Sequence, residues 1–203
     1  MSTINDKKIT SKQIQPLYWQ FQLTWKLASF HLQDLTYELC FWDPVQGSLT
    51  FRQTKDVEWY PDWVEPDPDP PPPVTVGWVT WHLTWWWTSL LAAIKHELPL
   101  PHNQVPWPGG AGAVKRCLET LAGEWRDRFS KLEEGELDRL LAYPWAEPRP
   151  LRFALTWANS ELMKNVAELG YIRHLYLASL KGDEEETDDK TRSRRKGEDC
   201  TPG

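Results

Sequence analysis

His82 has the surroundings in this sequence that most clearly point to chemistry. It lies in an apolar stretch rich in tryptophan, with Trp78 four residues before it, Trp85 three residues after it and Trp86 four residues after it. Side chains at these spacings share one face of a helix. The histidine is therefore either a core residue that hydrogen-bonds a neighbouring helix or a ligand of a metal ion.

A polar row further along the chain supplies partners for His82. Glu161, Asn165 and Glu168 follow one another at i, i+4 and i+7 beside an apolar helical face. Because i and i+4 project from the same face, Glu161 and Asn165 can offer oxygen atoms to one ion together with His82. Glu168 either supports such a site from outside or pairs with a basic residue of the same helix.

The tryptophans near these polar groups define a predicted substrate pocket. Many aromatic side chains around few polar groups suit a bulky or aromatic ligand. The alternative is that the same side chains fill the core. The predicted pocket residues are Trp78, Trp85, Trp86, Trp157 and Glu168.

Four long amphipathic segments must position these residues. Helices are predicted over 12–39, over 76–96, along an apolar side from Val114 to Leu132, and over 151–180. In the first helix the apolar residues alternate by four and three positions, the seam of a bundle: Phe21, Trp25, Ala28, Leu32, Leu35 and Leu39. The sequence therefore predicts an all-α four-helix bundle over 12–180, between a disordered N-terminus at 1–11 and a disordered charged tail at 181–203.

Charge and cysteine content narrow the class of protein. The chain has 203 residues and a net charge of −6, which argues against binding nucleic acid or an anionic membrane through positive charge. Its three cysteines form no CxxC pair, and the polar N-terminus has no apolar signal region. We expect a reduced, cytoplasmic protein, and the uncharged stretch 71–94 is expected to be a buried helix rather than a membrane span.

A proline-rich segment precedes the second predicted helix. Residues 61–73 contain seven prolines, which forbid a helix and favour the polyproline II conformation. Acidic residues are interleaved and no basic flank is present, so a stiff spacer is favoured over a docking peptide for SH3- or WW-type domains. No phosphate-binding loop, nucleophile elbow or HExxH motif occurs in the sequence.

Three pieces of the sequence resemble the DinB-like family, also called the DinB/DfsB metalloenzymes. Residues 41–52 are similar to the family's W-x-P-x-x-G turn, which leads to a Val-Arg or similar pair. Residues 71–83 are similar to its proline-rich lead into helix two, which ends in a metal-binding histidine. Residues 159–176 look like its last-helix pattern, N-x-E-x-x-H-H-x-A-E-I-x-x-x-R-x-L-Y. Together the pieces cover most of residues 12–180.

The resemblance implies a fold, a site and an activity. It implies an up-down-down-up bundle, often dimeric, that holds a divalent ion such as zinc or nickel through one histidine of helix two and two side chains of the last helix. By position His82 matches the helix-two ligand and Glu161 the first ligand of the last helix. Asn165 stands where the second histidine is expected, and an amide is a poorer zinc ligand than imidazole. We therefore expect weak metal binding or none.

Two classes of function follow from these expectations. The first is a small-molecule enzyme, namely a transferase that uses a low-molecular-weight thiol such as mycothiol or bacillithiol, or a repurposed relative with a degenerate metal site. The second is a non-catalytic interaction module on the same bundle, which docks through the proline-rich segment or the charged tail. A homodimer is expected in either case, and DNA repair has no support from the acidic charge.

Overall fold

The computed structural model describes residues 9, 11–55, 58–65 and 68–198 of the chain, with side chains as far as residue 181. The described chain is mostly helical. Its helices are α1 (Ile14–Gln33), α2 (Tyr37–Phe41), α3 (Val76–Ile94), α4 (Ala111–Lys131) and α5 (Leu151–Glu198), and short 3-10 turns lie at His102–Gln104 and Glu134–Asp138. Two antiparallel pairs complete it, β1 (Phe51–Gln53) with β2 (Trp59–Pro61) and β3 (Leu140–Leu141) with β4 (Arg149–Pro150).

The first predicted helix is divided into two. α1 ends at Gln33 and α2 begins at Tyr37, because the Thr36 hydroxyl caps α2 by accepting the backbone N–H of Leu39 at 3.2 Å. The apolar seam nevertheless continues across the break. Its six residues, from Phe21 to Leu39, are all buried, so the predicted period describes the buried face although the helix itself is interrupted.

α3 is buried on nearly every side. Thr75 caps its N-terminus, accepting the backbone N–H of Trp78 at 3.2 Å. Trp87 lies at the centre of the core, with ring centroids 6.0 Å from Phe21, 5.6 Å from Trp25 and 6.1 Å from Trp125. Burial by protein explains the absence of charge along α3, and no helix in the described part of the chain is both long and apolar enough to cross a membrane.

The four long helices pack against one another in pairs. α1 and α3 each contact both α4 and α5. The proline-rich segment runs to the start of α3, where Leu49 donates its backbone N–H to the Pro73 carbonyl at 2.8 Å and Thr75 donates to the Leu49 carbonyl at 3.0 Å. These bonds hold the segment beside α3 and α5, where it forms a wall of the site described below.

α5 is longer than the predicted last helix. Its backbone runs from Leu151 to Glu198 and so continues through most of the segment predicted to be a disordered charged tail. Residues 199–203, together with 1–8 and 10 of the predicted disordered N-terminus, lie outside the described residues. The disorder predicted for the two ends therefore stays a prediction where the structure describes nothing.

Candidate functional site

His82 and Asn165 meet between α3 and α5. The Nδ1 atom of His82 lies 2.9 Å from the Oδ1 atom of Asn165. The Asn165 amide nitrogen donates in turn to the backbone carbonyl of Glu161, one helical turn earlier, at 2.8 Å. Asn165 is 1% exposed, so both bonds form away from bulk water and hold the imidazole in one orientation.

This pair of hydrogen bonds assigns the tautomer of His82. The Glu161 carbonyl only accepts, so the Asn165 nitrogen must face it and the Asn165 oxygen must face His82. Because that oxygen also only accepts, Nδ1 of His82 carries the proton. Nε2 is left with its lone pair, and it has no hydrogen-bond partner among the described residues.

The surroundings keep the imidazole neutral. Burial lowers the pKa of His82 from 6.5 to about 4, the Lys164 charge acts in the same direction, and the hydrogen bond to Asn165 opposes both. Trp78 covers one face of the ring, with the two planes 11° apart and their centroids 5.0 Å apart. At neutral pH His82 is therefore an uncharged hydrogen-bond acceptor held against an indole.

His82 opens onto a cavity of about 810 Å³. The proline-rich segment forms one wall, and α3 contributes Trp78 and His82. The turn after α2 and the middle of α5 form the other walls, and the lining residues that the sequence prediction did not include are Pro44, Val45, Leu49, Trp63, Val64, Pro68, Asp69, Pro71, Pro72, Pro73, Val74, Lys164, Tyr171, Ile172 and Leu175. The volume lies within the range of small-molecule sites.

Comparison with known proteins identifies the family to which the chain belongs. The sequence pattern of the DinB superfamily matches residues 20–169. The chain belongs to the DinB superfamily. The matched range contains His82, Glu161 and Asn165, and it confirms the resemblance inferred from the three motifs.

One solved structure shows the same fold. The crystal structure of the conserved protein of locus from Enterococcus faecalis is similar with a TM-score of 0.59 and 13% sequence identity, over 83% of this chain and 99% of that chain. At this identity the likeness concerns the fold alone. No curated protein matches the chain.

The donor atoms of this DinB-superfamily protein do not fit the metal centre that the family implies. The Asn165 oxygen is already bonded to His82, and Glu161 meets Asn165 through its backbone carbonyl and is not among the described residues that line the cavity. Within the described chain, no group of three or more His, Cys, Asp or Glu side chains is placed to hold a metal ion. His82 thus offers one nitrogen without a second imidazole beside it.

The predicted pocket residues are divided between the cavity and the core. Trp78 and Glu168 line the cavity with His82, and Glu168 pairs with Lys164 at 3.4 Å. Trp85 packs on Trp81, with centroids 5.6 Å apart, and donates to the Leu100 carbonyl at 2.9 Å. Trp86 and Trp157 pack together at 5.3 Å in a separate aromatic cluster, and neither lines the cavity among the described residues.

Sequence reasoning missed most of the cavity wall. Tyr171, Ile172 and Leu175 follow Glu168 along α5 and lie within the family-like pattern at 159–176. Their spacing after Glu168 was a usable signal. The prolines were interpreted as a spacer, and nothing local in their sequence indicates that they face His82.

The lowered pKa of His82 makes folding stability depend on pH. The unfolded chain takes up a proton on His82 below pH 6.5, whereas the folded ring stays neutral until the pH approaches 4. The contribution of neutral His82 to the free energy of unfolding is therefore fully present above pH 6.5 and is lost as the pH falls towards 4. The loss is about 3 kcal/mol if the group acts alone.

We predict that His82→Gln loses less stability than the wild type between pH 7 and pH 4.5. Urea denaturation at several pH values measures the difference. Burial, Arg173 and His174 also lower the pKa of His31, so the comparison uses the difference between the two proteins rather than either slope alone. Identical pH slopes would show that His82 titrates in the folded protein as it does in the unfolded chain.

Proposed function

We propose that this DinB-superfamily protein is a small-molecule enzyme, a repurposed relative of the thiol-dependent transferases, in which a His82–Asn165 pair stands in place of a full metal centre. The observation that carries the proposal is the bond from His82 Nδ1 to the buried Asn165 amide, which leaves Nε2 directed away from Asn165 in a residue that lines a cavity of about 810 Å³. A site built in this way binds and orients a reactant.

The proposed role of His82 is to orient a proton donor. A neutral imidazole accepts a hydrogen bond from a thiol or hydroxyl group at Nε2. Because its pKa of about 4 is far below that of a thiol, His82 orients the S–H group in the resting complex without removing its proton. As sulfur attacks the electrophile and the leaving group departs, the proton passes from sulfur through Nε2 to water. A low-molecular-weight thiol is the proposed co-substrate, and the cavity has room for it beside a second reactant.

We also propose that zinc or nickel binds weakly at His82, Glu161 and Asn165. Two features of the site support weak binding. Asn165 must give up its bond to His82 before its oxygen can turn to an ion, and an amide is a poor ligand for either metal. Glu161 is half-buried, and its carboxylate would have to turn towards His82.

An up-down-down-up bundle is the proposed arrangement of the four long helices. Pairs of contacts support it. Asn159 bonds the Leu17 carbonyl and Arg173 pairs with Asp34, as in a parallel pair of α1 and α5. Lys115 bonds the Gln33 carbonyl and Tyr18 packs on Phe129, as in an antiparallel pair of α1 and α4. Trp86 contacts Trp157 and His82 contacts Asn165, as in an antiparallel pair of α3 and α5.

The proposed assembly is a homodimer formed through the outer face of α1. Four large apolar side chains lie exposed along this face, Trp19 (62%), Leu23 (49%), Leu27 (40%) and Phe30 (55%). The stripe reads aromatic, Leu, Leu, aromatic in both directions. Two antiparallel copies of α1 would therefore pair each aromatic residue with an aromatic residue of the partner copy and each leucine with a leucine of that copy. A two-fold interface requires such a self-complementary pattern.

The proposed location is the cytoplasm. Cys40 and Cys117 are free thiols, and burial raises the pKa of Cys40 to about 12 and also raises the pKa of Cys117. One buried and one partly buried free thiol suit a reducing compartment. The alternative function, a docking module that uses the proline-rich segment, is less favoured because Pro71, Pro72 and Pro73 form a wall of the cavity.

Enzymatic thiol transfer to an electrophile tests the proposed function. Mycothiol, bacillithiol and glutathione are each incubated with 1-chloro-2,4-dinitrobenzene, and loss of thiol is followed with and without a chelator. We expect His82→Gln to lower the rate by about tenfold or more, with little effect of the chelator. His174→Gln is the matched control, because His174 is exposed on α5 and lies outside the described cavity wall. Equal rates for the wild type and His82→Gln would contradict the proposal.

Restoring the missing imidazole tests the metal site. Calorimetric titration with zinc and nickel should show that Asn165→His binds about tenfold or more tightly than the wild type, because the change adds a second nitrogen ligand. His82→Ala in either background should abolish the binding. If Asn165→His gains no affinity, the three side chains do not share a metal site.

Charging the exposed stripe tests the dimer. The 23.8 kDa chain should have twice that mass in light scattering, and Leu27→Glu should raise the dissociation constant by about tenfold or more, because each introduced carboxylate would be buried against an apolar side chain of the partner copy. Leu180→Glu is the control, because Leu180 is equally exposed (43%) but belongs to α5. A mass of one chain at every concentration would remove the proposal.

A further inference from the structure

We propose that the cavity beside His82 binds a neutral, flat aromatic molecule carrying one hydrogen-bond donor, a phenolic hydroxyl or an aromatic N–H, which it donates to Nε2 of His82. This inference rests on the proposed function, and it specifies the class of the molecule that occupies the same site. Three independent features of the cavity lead to it: the acceptor, the charge of the wall and the shape of the wall.

The acceptor selects for a donor. Asn165 holds the proton of His82 on Nδ1, so Nε2 presents only a lone pair. A carboxylate or an ether oxygen placed there would set one lone pair against another without a hydrogen bond. A bound molecule without a donor would leave Nε2 buried and without a hydrogen bond. This costs more free energy than one hydrogen bond gains, so the site discriminates against molecules that lack a donor.

The charge of the wall selects against anions. Its charged side chains, among the described lining residues, are Lys164, Glu168 and Asp69, that is one cation and two carboxylates. The cation is paired with Glu168 at 3.4 Å, and no other cation lines the described part of the wall to meet an anionic ligand. Asp69 is exposed at the mouth of the cavity, so a cationic ligand gains little from it and would lose its hydration in the apolar interior.

The wall is built from flat surfaces. Trp78 lies parallel to the imidazole of His82, and Trp63 and the rings of Pro71 to Pro73 face the same space. Indole and pyrrolidine faces pack well against a planar aromatic molecule. The volume of about 810 Å³ exceeds what one bicyclic molecule fills. Because Nε2 has a single lone pair, the aromatic molecule takes the place of the thiol at His82 and does not share that nitrogen with it.

Four naphthalene compounds of one size separate these features. 2-Naphthol is a neutral donor at pH 7, 2-methoxynaphthalene is neutral without a donor, 2-naphthoate is an anion and 2-naphthylmethylammonium is a cation. Calorimetry on the full chain should show 2-naphthol binding about tenfold more tightly than 2-methoxynaphthalene, the value of one hydrogen bond. The anion should bind more weakly than either neutral compound.

Variants locate the binding and isolate the hydrogen bond. His82→Phe keeps a planar ring and should abolish the preference for 2-naphthol while leaving the affinity for 2-methoxynaphthalene within about twofold. His174→Phe is the matched control and should change neither affinity. Leu175→Trp narrows the cavity at a partly exposed lining position and should weaken both neutral compounds, with near-ultraviolet circular dichroism confirming that each variant is folded.

The outcomes distinguish this inference from the proposed function. Equal binding of 2-naphthol and 2-methoxynaphthalene, or tightest binding of the anion or the cation, overturns the inference and leaves the small-molecule site in place. If no compound binds while thiol transfer depends on His82, the inference alone fails. If no compound binds and His82→Gln leaves thiol transfer unchanged, both proposals fail.

Discussion

The near-complete burial of α3 is the constraint on which the rest of the structure depends. Between Val76 and Ile94 the helix carries no acidic or basic residue other than His82, and most of its side chains are buried. A helix that is apolar all round must be covered on every side. α4 and α5 cover two sides. α2, Phe51 of β1 and Trp63 of the proline-rich segment pack against its first turns, so these connecting segments help to bury α3.

Burying so much indole creates a second requirement. A Trp N–H inside the protein usually finds an acceptor, and loop carbonyls supply several, whereas the N–H groups of Trp86 and Trp125 have no acceptor among the described residues. Trp78 donates to Asp62 at 3.0 Å, Trp81 to Val105 at 2.6 Å and Trp85 to Leu100 at 2.9 Å. These hydrogen bonds therefore hold the loops before and after α3 at fixed positions along the helix axis. The same bonds place the proline-rich segment across from α5 and so create the cavity.

His82 is the one ionisable side chain of α3, and Asn165 accepts a hydrogen bond from it. In the pattern that the family implies, a second histidine at this position would share a metal ion with His82. The amide oxygen instead accepts a hydrogen bond from the imidazole N–H, and the amide nitrogen donates one to the Glu161 carbonyl. The side chain at position 165 therefore holds the imidazole through a hydrogen bond that fixes its orientation.

Local sequence patterns determined the long helices, and they predicted the site residues without showing how these are arranged. The period and the three family-like motifs placed α3, α4 and the start of α5, and they singled out His82, Glu161 and Asn165 as candidates. These signals act over one or two helical turns, which is why they can be read without the fold. Even so, the break at Thr36 escaped the period, because the apolar seam continues through it.

Only the tertiary structure decided which groups those residues contact. The direction of the Asn165 amide depends on a carbonyl in its own helix and on an imidazole 83 positions away in sequence. The division of the tryptophans between cavity and core, and the closing of the cavity by prolines opposite Tyr171 and Ile172, also depend on distances between segments far apart in the chain. The period of apolar residues shows which face of a helix is apolar, but not which neighbour that face meets. The tautomer of His82, its neutral charge and the cavity therefore arise only when the helices pack.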